Sequence, residues 1–190
     1  MARRKLDLAS LNREASRIGR QYFYGMGRRR RSYRKAFPYL LQAARAGYVH
    51  SQNLVGCCYA DGLGVKRDMG TALYWFRAAA AGNHKEALFN AGLAYDYGLG
   101  TKKSPRKAFT YYRRAARLGD VASQCNLGVA YLDGLGTTPS RREALRWLRK
   151  AALQGDSRAR HNLRLLHLRS DGPKRRHAAR PTLRRVRRDQ

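Results

Sequence analysis

The chain has 190 residues (21.6 kDa), of which 43% are hydrophobic, so it is long and apolar enough for one globular domain or one short repeat array. Its 41 Lys and Arg residues against 12 Asp and Glu residues give a formal net charge of +29, which favours an acidic partner. No apolar run approaches the roughly 20 residues of a membrane span, no apolar signal segment follows the basic start, and three cysteines cannot form a paired disulfide framework.

The first 13 residues are predicted to be a basic N-terminal segment outside any repeat. Because this start is rich in Arg and Lys, an organelle presequence is an alternative interpretation, although Asp7 and Glu14 argue against it. Since the sequence has neither a secretory signal nor a membrane-spanning segment, we expect a cytoplasmic protein.

A repeat of 36 residues organises the chain from residue 14 to residue 168. Three copies, 49–84, 85–120 and 121–156, share a set of glycine, alanine and aromatic positions. In the first of these copies the shared positions are Gly56, Tyr59, Gly62-Leu63-Gly64, Ala72, Trp75 and Ala79-Ala80. A diverged copy with a loop one residue longer occupies 14–48, and a half copy at 157–168 is predicted to be a capping helix.

Each copy is predicted to form two helices. Leu88, Ala91, Gly92 and Tyr95 fall on one face of a first helix, and the glycines that follow are typical of a helix end. The second helix has an N-cap residue at constant spacing, namely Ser32, Asp68, Ser104 and Ser140. Because one helix pair cannot bury its apolar face alone, we expect the pairs to stack into an all-α, α/α superhelical solenoid.

Residues 169–190 are predicted to be a flexible basic tail, because they contain too few apolar residues to offset the entropy lost on ordering. The tail cations that we expect to contact a partner are Lys174, Arg175, Arg176, Arg184, Arg185, Arg187 and Arg188.

The repeated pattern G-x-x-Y-x-x-G-x-G, followed by the N-cap residue, the alanine, the aromatic residue and the Ala-Ala pair, resembles the Sel-one-like repeat family. This family is related to the tetratricopeptide repeats, and the resemblance covers residues 14–168. It implies an α/α solenoid that serves as an adaptor or scaffold for macromolecular assemblies and has no chemistry of its own.

The residue types that usually carry chemistry form no recognisable site. Cys57 and Cys58 occupy positions that hold small apolar residues in the other copies, so they are predicted to be packing residues. The five histidines have no zinc-like spacing to the cysteines, and there is no catalytic triad, carboxylate pair or phosphate-binding loop. We therefore predict that the protein is not an enzyme and binds no metal, cofactor or small-molecule substrate.

One polar position recurs on the first helix, at Asn90, Asn126 and Asn162. In related helical repeats the first helix lines the concave groove, so these residues are candidate partner-groove residues. An Asn side chain has both a donor and an acceptor for the backbone of an extended peptide. Hydrogen bonding within the scaffold is the alternative.

Basic clusters recur in or beside the loop that joins the two helices of each copy. Cations at a helix N-terminus oppose the helix dipole and slightly destabilise the helix. Their recurrence in each copy therefore suggests that the positive charge has a function in binding. Stacked repeats should align these clusters as a basic ridge, whereas a simple solvated surface is the alternative. The ridge residues are Arg28, Arg29, Arg30, Arg31, Arg34, Lys66, Arg67, Lys102, Lys103, Arg106, Lys107, Arg141 and Arg142.

Two functions fit this pattern. The first is a scaffold whose concave groove binds a protein or peptide partner while the ridge and tails engage an acidic surface. The second is a sequence-nonspecific nucleic-acid or ribonucleoprotein-associated protein that contacts phosphates. Aromatic residues near the Arg run could interleave with it for base stacking; they are Tyr22, Phe23, Tyr24 and Tyr33. Binding to an anionic membrane surface ranks last, because no hydrophobic anchor accompanies the charge.

Overall fold

The computed structural model describes residues 7–170. Within this range the regular secondary structure is entirely α-helical, as the sequence predicts, and the all-α fold of consecutive helix pairs is confirmed. The helices are α1 (Leu8–Tyr24), α2 (Tyr33–Arg45), α3 (Val49–Asp61), α4 (Met69–Ala81), α5 (Lys85–Tyr97), α6 (Pro105–Arg117), α7 (Val121–Asp133), α8 (Arg141–Leu153) and α9 (Ser157–Ser170).

The ends of the second helices follow the predicted signals. The side chains of the four N-cap residues accept hydrogen bonds from backbone N–H groups in the first turns of α2, α4, α6 and α8. After each of these helices comes a residue with left-handed backbone, with φ of 89° at Gly47, 58° at Asn83, 87° at Gly119 and 93° at Gly155. Glycine adopts this conformation without steric cost, and Asn is among the few other residues that tolerate it.

The first helix begins earlier than the repeat pattern indicates. It starts at Leu8, inside the segment predicted to precede the repeats, because the carboxylate of Asp7 accepts a hydrogen bond of 2.6 Å from the Ser10 N–H. Leu8 and Leu11 are 73% and 43% exposed, so this turn buries little apolar surface and leaves no periodic signal.

The last helix, α9, runs two residues beyond the predicted capping helix, to Ser170. The tail cations, Lys174, Arg175, Arg176, Arg184, Arg185, Arg187 and Arg188, lie outside the described residues.

The described residues divide into two compact units. The first unit holds residues 7–91 and 99–102; in it α1 packs on α2, α2 on α3 and α3 on α4, around the core residues Ala36, Leu40, Ala44, Leu54, Val55 and Cys58. The second unit holds residues 92–98 and 103–170; in it α6 packs on α7, α7 on α8 and α8 on α9, around Phe109, Ala116, Leu127, Ala130 and Trp147.

A glycine in the first helix of three repeats permits close packing against the second helix. A Cβ atom added at Gly56, Gly92 or Gly128 would lie 2.6 Å from a side-chain carbon of Phe76, Tyr112 or Leu148, respectively. The large side chain of the second helix therefore occupies the space that a Cβ would need, which gives this glycine position its physical reason.

Candidate interaction site

Four inter-helix loops, 25–32, 62–68, 98–104 and 134–140, join the first and second helices of the repeats. The second glycine of each Gly-Leu-Gly triplet brings its loop against the start of a second helix. A Cβ at Gly64 would lie 2.6 Å from the carbonyl of Tyr33, and the corresponding positions at Gly100 and Gly136 meet the backbone of Met69 and Pro105. The loops therefore stack against neighbouring second helices within each unit.

Within each unit, a loop that carries or directly precedes predicted ridge cations contacts the backbone at a ridge residue of the preceding repeat. In the first unit, the loop that carries Lys66 and Arg67 packs on the backbone beside Arg34, at the start of α2. In the second unit, Gly136 lies against the backbone of Arg106. The sequence predicted only that Gly64, Gly100 and Gly136 end helices. A glycine pattern indicates a positive φ, but it does not show that the loop approaches the backbone of another helix.

The ridge cations are exposed, except that Arg29 is half-buried. Within residues 7–170 none of them forms a salt bridge. Two of them are tied to the scaffold instead, because Arg29 Nε donates to Gln21 Oε1 at 3.0 Å and Arg141 Nη2 donates to the carbonyl of Leu166 at 3.2 Å. The first unit contains Arg28, Arg29, Arg30, Arg31, Arg34, Lys66, Arg67 and Lys102, and the second contains Lys103, Arg106, Lys107, Arg141 and Arg142.

Cations and aromatic rings interleave at the first inter-helix loop. The guanidinium carbon of Arg29 lies 4.6 Å from the ring centroid of Tyr22, and that of Arg31 lies 5.7 Å from the ring centroid of Tyr33. Lys35 Nζ approaches the Tyr22 ring at 5.9 Å, and Phe23 packs edge-on against Tyr33. These distances are within the range of cation–π attraction, so the side chains form one cluster.

This part of the first unit lacks acidic residues. Between Glu14 and Asp61 the sequence contains nine Lys and Arg residues and no Asp or Glu. Apart from Arg17, which forms a salt bridge with Glu14, these cations have no salt-bridge partner among the described residues, and charges of one sign produce a positive potential that raises the local concentration of anions.

The three asparagines of the predicted partner groove are buried. Asn126 and Asn162 have no exposed surface, and Asn90 is 5% exposed. Asn90 Nδ2 donates to Asn53 Oδ1 at 3.5 Å, and Asn162 Nδ2 approaches Cys125 Sγ at 3.9 Å. This burial favours the alternative of hydrogen bonding within the scaffold, and contact with a peptide stays an untested prediction.

Two histidines that lie 34 residues apart in the sequence meet in the first unit. His50 Nδ1 and His84 Nε2 are 3.2 Å apart, and His84 Nδ1 lies 3.1 Å from Glu86 Oε2. Burial lowers the pKa of both histidines, and for His50 the neighbouring His84 and Arg20 lower the pKa further. Sequence analysis missed this pair, because the two residues belong to different repeats and to no local motif.

A cleft of about 640 Å³ adjoins the histidine pair, also within the first unit. It is lined by Arg17, Arg20, Gln21, Tyr24, Met26 and His50. The lining residues come from α1, the loop after it and the start of α3. No sequence motif marks these residues, because they lie in the diverged first repeat and on the helix that follows it.

The cysteines are buried, which agrees with the packing role predicted for Cys57 and Cys58. Burial raises the pKa of the Cys58 and Cys125 thiols to about 12. Among the residues that the structure describes, no group of three or more His, Cys, Asp or Glu side chains could hold a metal ion. In the same part of the chain no helix is long and apolar enough to cross a membrane.

The arrangement of helix pairs with a 36-residue period is that of the Sel1 repeat, whose family pattern matches residues 15–48, 49–84, 85–120 and 121–156. The chain belongs to the Sel1 repeat family. This confirms the Sel-one-like resemblance of the sequence. Sel1 repeats are a non-catalytic scaffold fold and generally mediate protein interactions.

Solved structures of Sel1 repeat proteins resemble this chain. A Sel1 repeat protein from Oxalobacter formigenes is 31% identical, with a TM-score of 0.71, over 82% of this chain and 62% of that protein. The protein c5321, a protective antigen of uropathogenic Escherichia coli with an SLR fold, is 28% identical, with a TM-score of 0.76, over 87% of this chain and 37% of that protein. The chain therefore spans less than two thirds of the length of either relative. No curated protein matches the sequence.

Proposed function

We propose that this Sel1 repeat protein is an interaction scaffold that selects an acidic protein partner through the basic ridge. The observation that carries the proposal is the run from residue 15 to residue 60, which holds nine cations and no carboxylate. Ridge cations without salt bridges within the described residues lose little when a partner's carboxylates approach them, since no internal ion pair has to be broken. Charge complementarity of this kind speeds association and rejects cationic partners.

A nucleic-acid partner is the second candidate, and the stacking of Arg29 on Tyr22 favours it. Arginine and aromatic side chains together bind phosphates and stack on bases in proteins that bind single strands. The two candidates predict different salt dependence. The affinity for a nucleic acid bound through several phosphate contacts decreases steeply as the salt concentration rises. An acidic protein that also forms apolar contacts retains more of its affinity.

The test is fluorescence anisotropy with three labelled probes: a Glu-rich 20-residue peptide that contains Leu and Phe, a 20-nucleotide single-stranded RNA and a DNA duplex. We expect the peptide to bind more tightly than either nucleic acid at about 150 mM salt and to have the shallower salt dependence. Tighter binding of the RNA at that salt concentration would replace the first candidate with the second.

Two variants that each lose four positive charges distinguish binding by the ridge from binding by the overall positive charge of the protein. The ridge variant carries R28Q, R29Q, R31Q and R34Q, and the control carries R77Q, R113Q, R117Q and R149Q on exposed positions of α4, α6 and α8. We expect the ridge variant to lose at least tenfold in peptide affinity and the control less than threefold. Equal losses would mean that only net charge matters and would contradict the proposal.

The predicted tail is tested in the same assay. Deletion of residues 169–190 should weaken binding of each anionic probe and leave the thermal melting of the helices unchanged. That the protein catalyses no reaction and needs no cofactor stays a prediction of the sequence.

A further inference from the structure

The cleft beside the histidine pair is open to solvent and combines charged, polar and apolar side chains. Its volume of about 640 Å³ lies within the range of pockets that enclose small ligands or single peptide residues. Repeat geometry alone does not explain its lining, since it combines two arginines, an amide, an aromatic ring and a thioether at one place.

Only one of the two guanidinium groups in the cleft lacks an internal partner. Arg17 is held by Glu14 through two hydrogen bonds, of 2.9 Å from Nε to Oε2 and 2.5 Å from Nη2 to Oε1. Arg20 forms no salt bridge within the described residues, and it is exposed. The cleft therefore presents one uncompensated cation, which suits a single carboxylate.

An amide donor stands next to this cation. The side-chain oxygen of Gln21 already accepts a hydrogen bond of 3.0 Å from Arg29 Nε. This bond fixes the orientation of the amide and leaves its nitrogen to donate. A bound carboxylate can therefore accept from both Arg20 and Gln21.

The outer part of the cleft is apolar. Tyr24 is 50% exposed and Met26 is 54% exposed, both large for side chains of their type in a folded protein. A thioether beside an aromatic ring adapts readily to apolar side chains of different shape. An apolar group of a ligand that packs here would shield the side chains of Tyr24 and Met26 from water.

The histidine pair supports one wall of the cleft. His50 lines the cleft, and its Nδ1 atom is paired with His84 Nε2 at 3.2 Å. This contact with His84 holds the imidazole of His50 in position. A wall held in this way limits the entropy lost on binding.

We propose that this cleft is a recognition pocket for one acidic side chain and a neighbouring bulky apolar side chain of a peptide partner. Arg20 and Gln21 bind the carboxylate, and Tyr24 and Met26 pack against the apolar group. The inference rests on the proposed function, since it names a subsite for the acidic partner. A single uncompensated cation suits one carboxylate better than a continuous row of phosphates, which favours a peptide over a nucleic acid.

The test uses four acetylated and amidated hexapeptides that contain Asp-Phe, Phe-Asp, Asn-Phe or Asp-Gly at the centre. Binding is followed by NMR through the imidazole signals of His50 and His84. We expect one of the two Asp/Phe peptides to shift the His50 signals and to bind about tenfold more tightly than the Asn-Phe peptide, because a neutral amide accepts weaker hydrogen bonds from Arg20 and Gln21 than a carboxylate does. The Asp-Gly peptide should also bind more weakly than the preferred Asp/Phe peptide, because it has no apolar side chain to pack against Tyr24 and Met26.

The variant Arg20→Gln should abolish the preference for Asp over Asn, while the matched control Arg45→Gln, also an exposed arginine, should retain it. Circular dichroism checks that both variants are folded. Equal affinity for the Asp and Asn peptides, an unchanged preference in Arg20→Gln, or tighter binding of a uridine trinucleotide at His50 would each overturn the proposal.

The Glu-rich 20-residue peptide separates failure of the pocket from failure of the proposed function. If that peptide binds the ridge and no hexapeptide perturbs His50, the pocket is wrong and the scaffold proposal stands. If neither the long peptide nor a hexapeptide binds, both are wrong.

Discussion

The aromatic ring of Tyr112 lies directly over Gly92, with its Cε1 atom 2.6 Å from the point where a Cβ of residue 92 would stand. Tyr112 is 1% exposed, so the ring is enclosed by the protein. The pairing fixes the distance between α5 and α6 at this level, within the second unit. It also makes Gly92 a position where the repeat register can be tested.

The substitution Gly92→Leu should lower the free energy of unfolding by about 1–3 kcal/mol, because a larger side chain overpacks the contact with Tyr112. Thermal melting followed by circular dichroism measures the effect. Ala81→Leu, at an exposed position of α4, is the control and should leave the melting temperature nearly unchanged. An unaltered melting temperature in Gly92→Leu would contradict the assigned packing.

The hydroxyl of Tyr112 donates a hydrogen bond of 3.2 Å to Oδ2 of Asp96, which is 2% exposed. The substitution Tyr112→Phe removes this donor from a buried carboxylate, and we expect a loss of about 1.5–3 kcal/mol in unfolding free energy. Urea denaturation measures it. Tyr74→Phe is the control, since the Tyr74 side chain is 63% exposed and its hydroxyl is solvated. Equal stability of the two variants would count against a role for the buried hydrogen bond.

Asp68 caps α4, and its carboxylate accepts hydrogen bonds from the N–H groups of Gly70 and Thr71 and from the Thr71 hydroxyl. Hydrogen bonding to Thr71 holds the pKa of this carboxyl below its usual value of 3.8. Because the pKa is lowered in the folded state, the stabilisation is present above 3.8 and is lost as the pH falls through the folded value.

The substitution Asp68→Ala should therefore lower the melting temperature at pH 7, and its difference from the unmodified protein should shrink below about pH 4. Asp133→Ala, which removes an exposed carboxylate at the end of α7, is the matched control. A difference that does not change with pH would show that the capping carboxylate is not responsible.

The pair of His50 and His84 predicts a second dependence on pH. Burial lowers the pKa of both side chains; Arg20 and His84 lower the pKa of His50 further, Lys85 lowers that of His84, and Glu86 opposes these effects at both. The folded protein thus binds fewer protons than the unfolded chain below about pH 6.5. Stability should be fully present above this value and should fall as the pH drops toward the folded pKa values.

Melting temperatures recorded between about pH 5 and pH 7.5 measure this dependence. His84→Gln should flatten the curve in this range, and His161→Gln, outside the pair, should leave its shape unchanged. A curve of the same slope in both variants would mean that the pair does not titrate as described.

Two of the buried cysteines, Cys58 and Cys125, should be chemically inert in the folded protein. Burial raises the pKa of Cys58 and Cys125 to about 12, and the thiolate is the reactive form. We expect iodoacetamide at pH 8 to label these two residues only after denaturant is added, as measured by mass spectrometry. Rapid labelling of Cys58 or Cys125 without denaturant would contradict their burial.

The sequence predicted most of the local structure correctly because the signals are short in range. A capping side chain such as Ser104 lies within one helical turn of the N–H group that it binds, and a left-handed residue such as Asn83 depends on its own backbone. The 36-residue period then multiplies each signal, so that the fold of helix pairs follows from composition and spacing alone.

The asparagines show the limit of this reasoning. Recurrence at Asn90, Asn126 and Asn162 identified one structural position, but a helical face that is polar in sequence can point to solvent or to a neighbouring helix. The tertiary structure places all three in the buried interior, where their contacts include Asn53 and Cys125. Burial depends on which helix packs alongside, and that information is not local.

By itself the sequence determined the repeat, the helix ends, the packing role of Cys57 and Cys58, and the excess of positive charge. Only the tertiary structure decided that His50 meets His84 and that Arg20, Gln21, Tyr24 and Met26 surround one cleft beside them. The reason is that helix caps and periods are set by contacts within a few residues, whereas a site is formed by side chains from separate helices. Their distances exist only after the helices have packed.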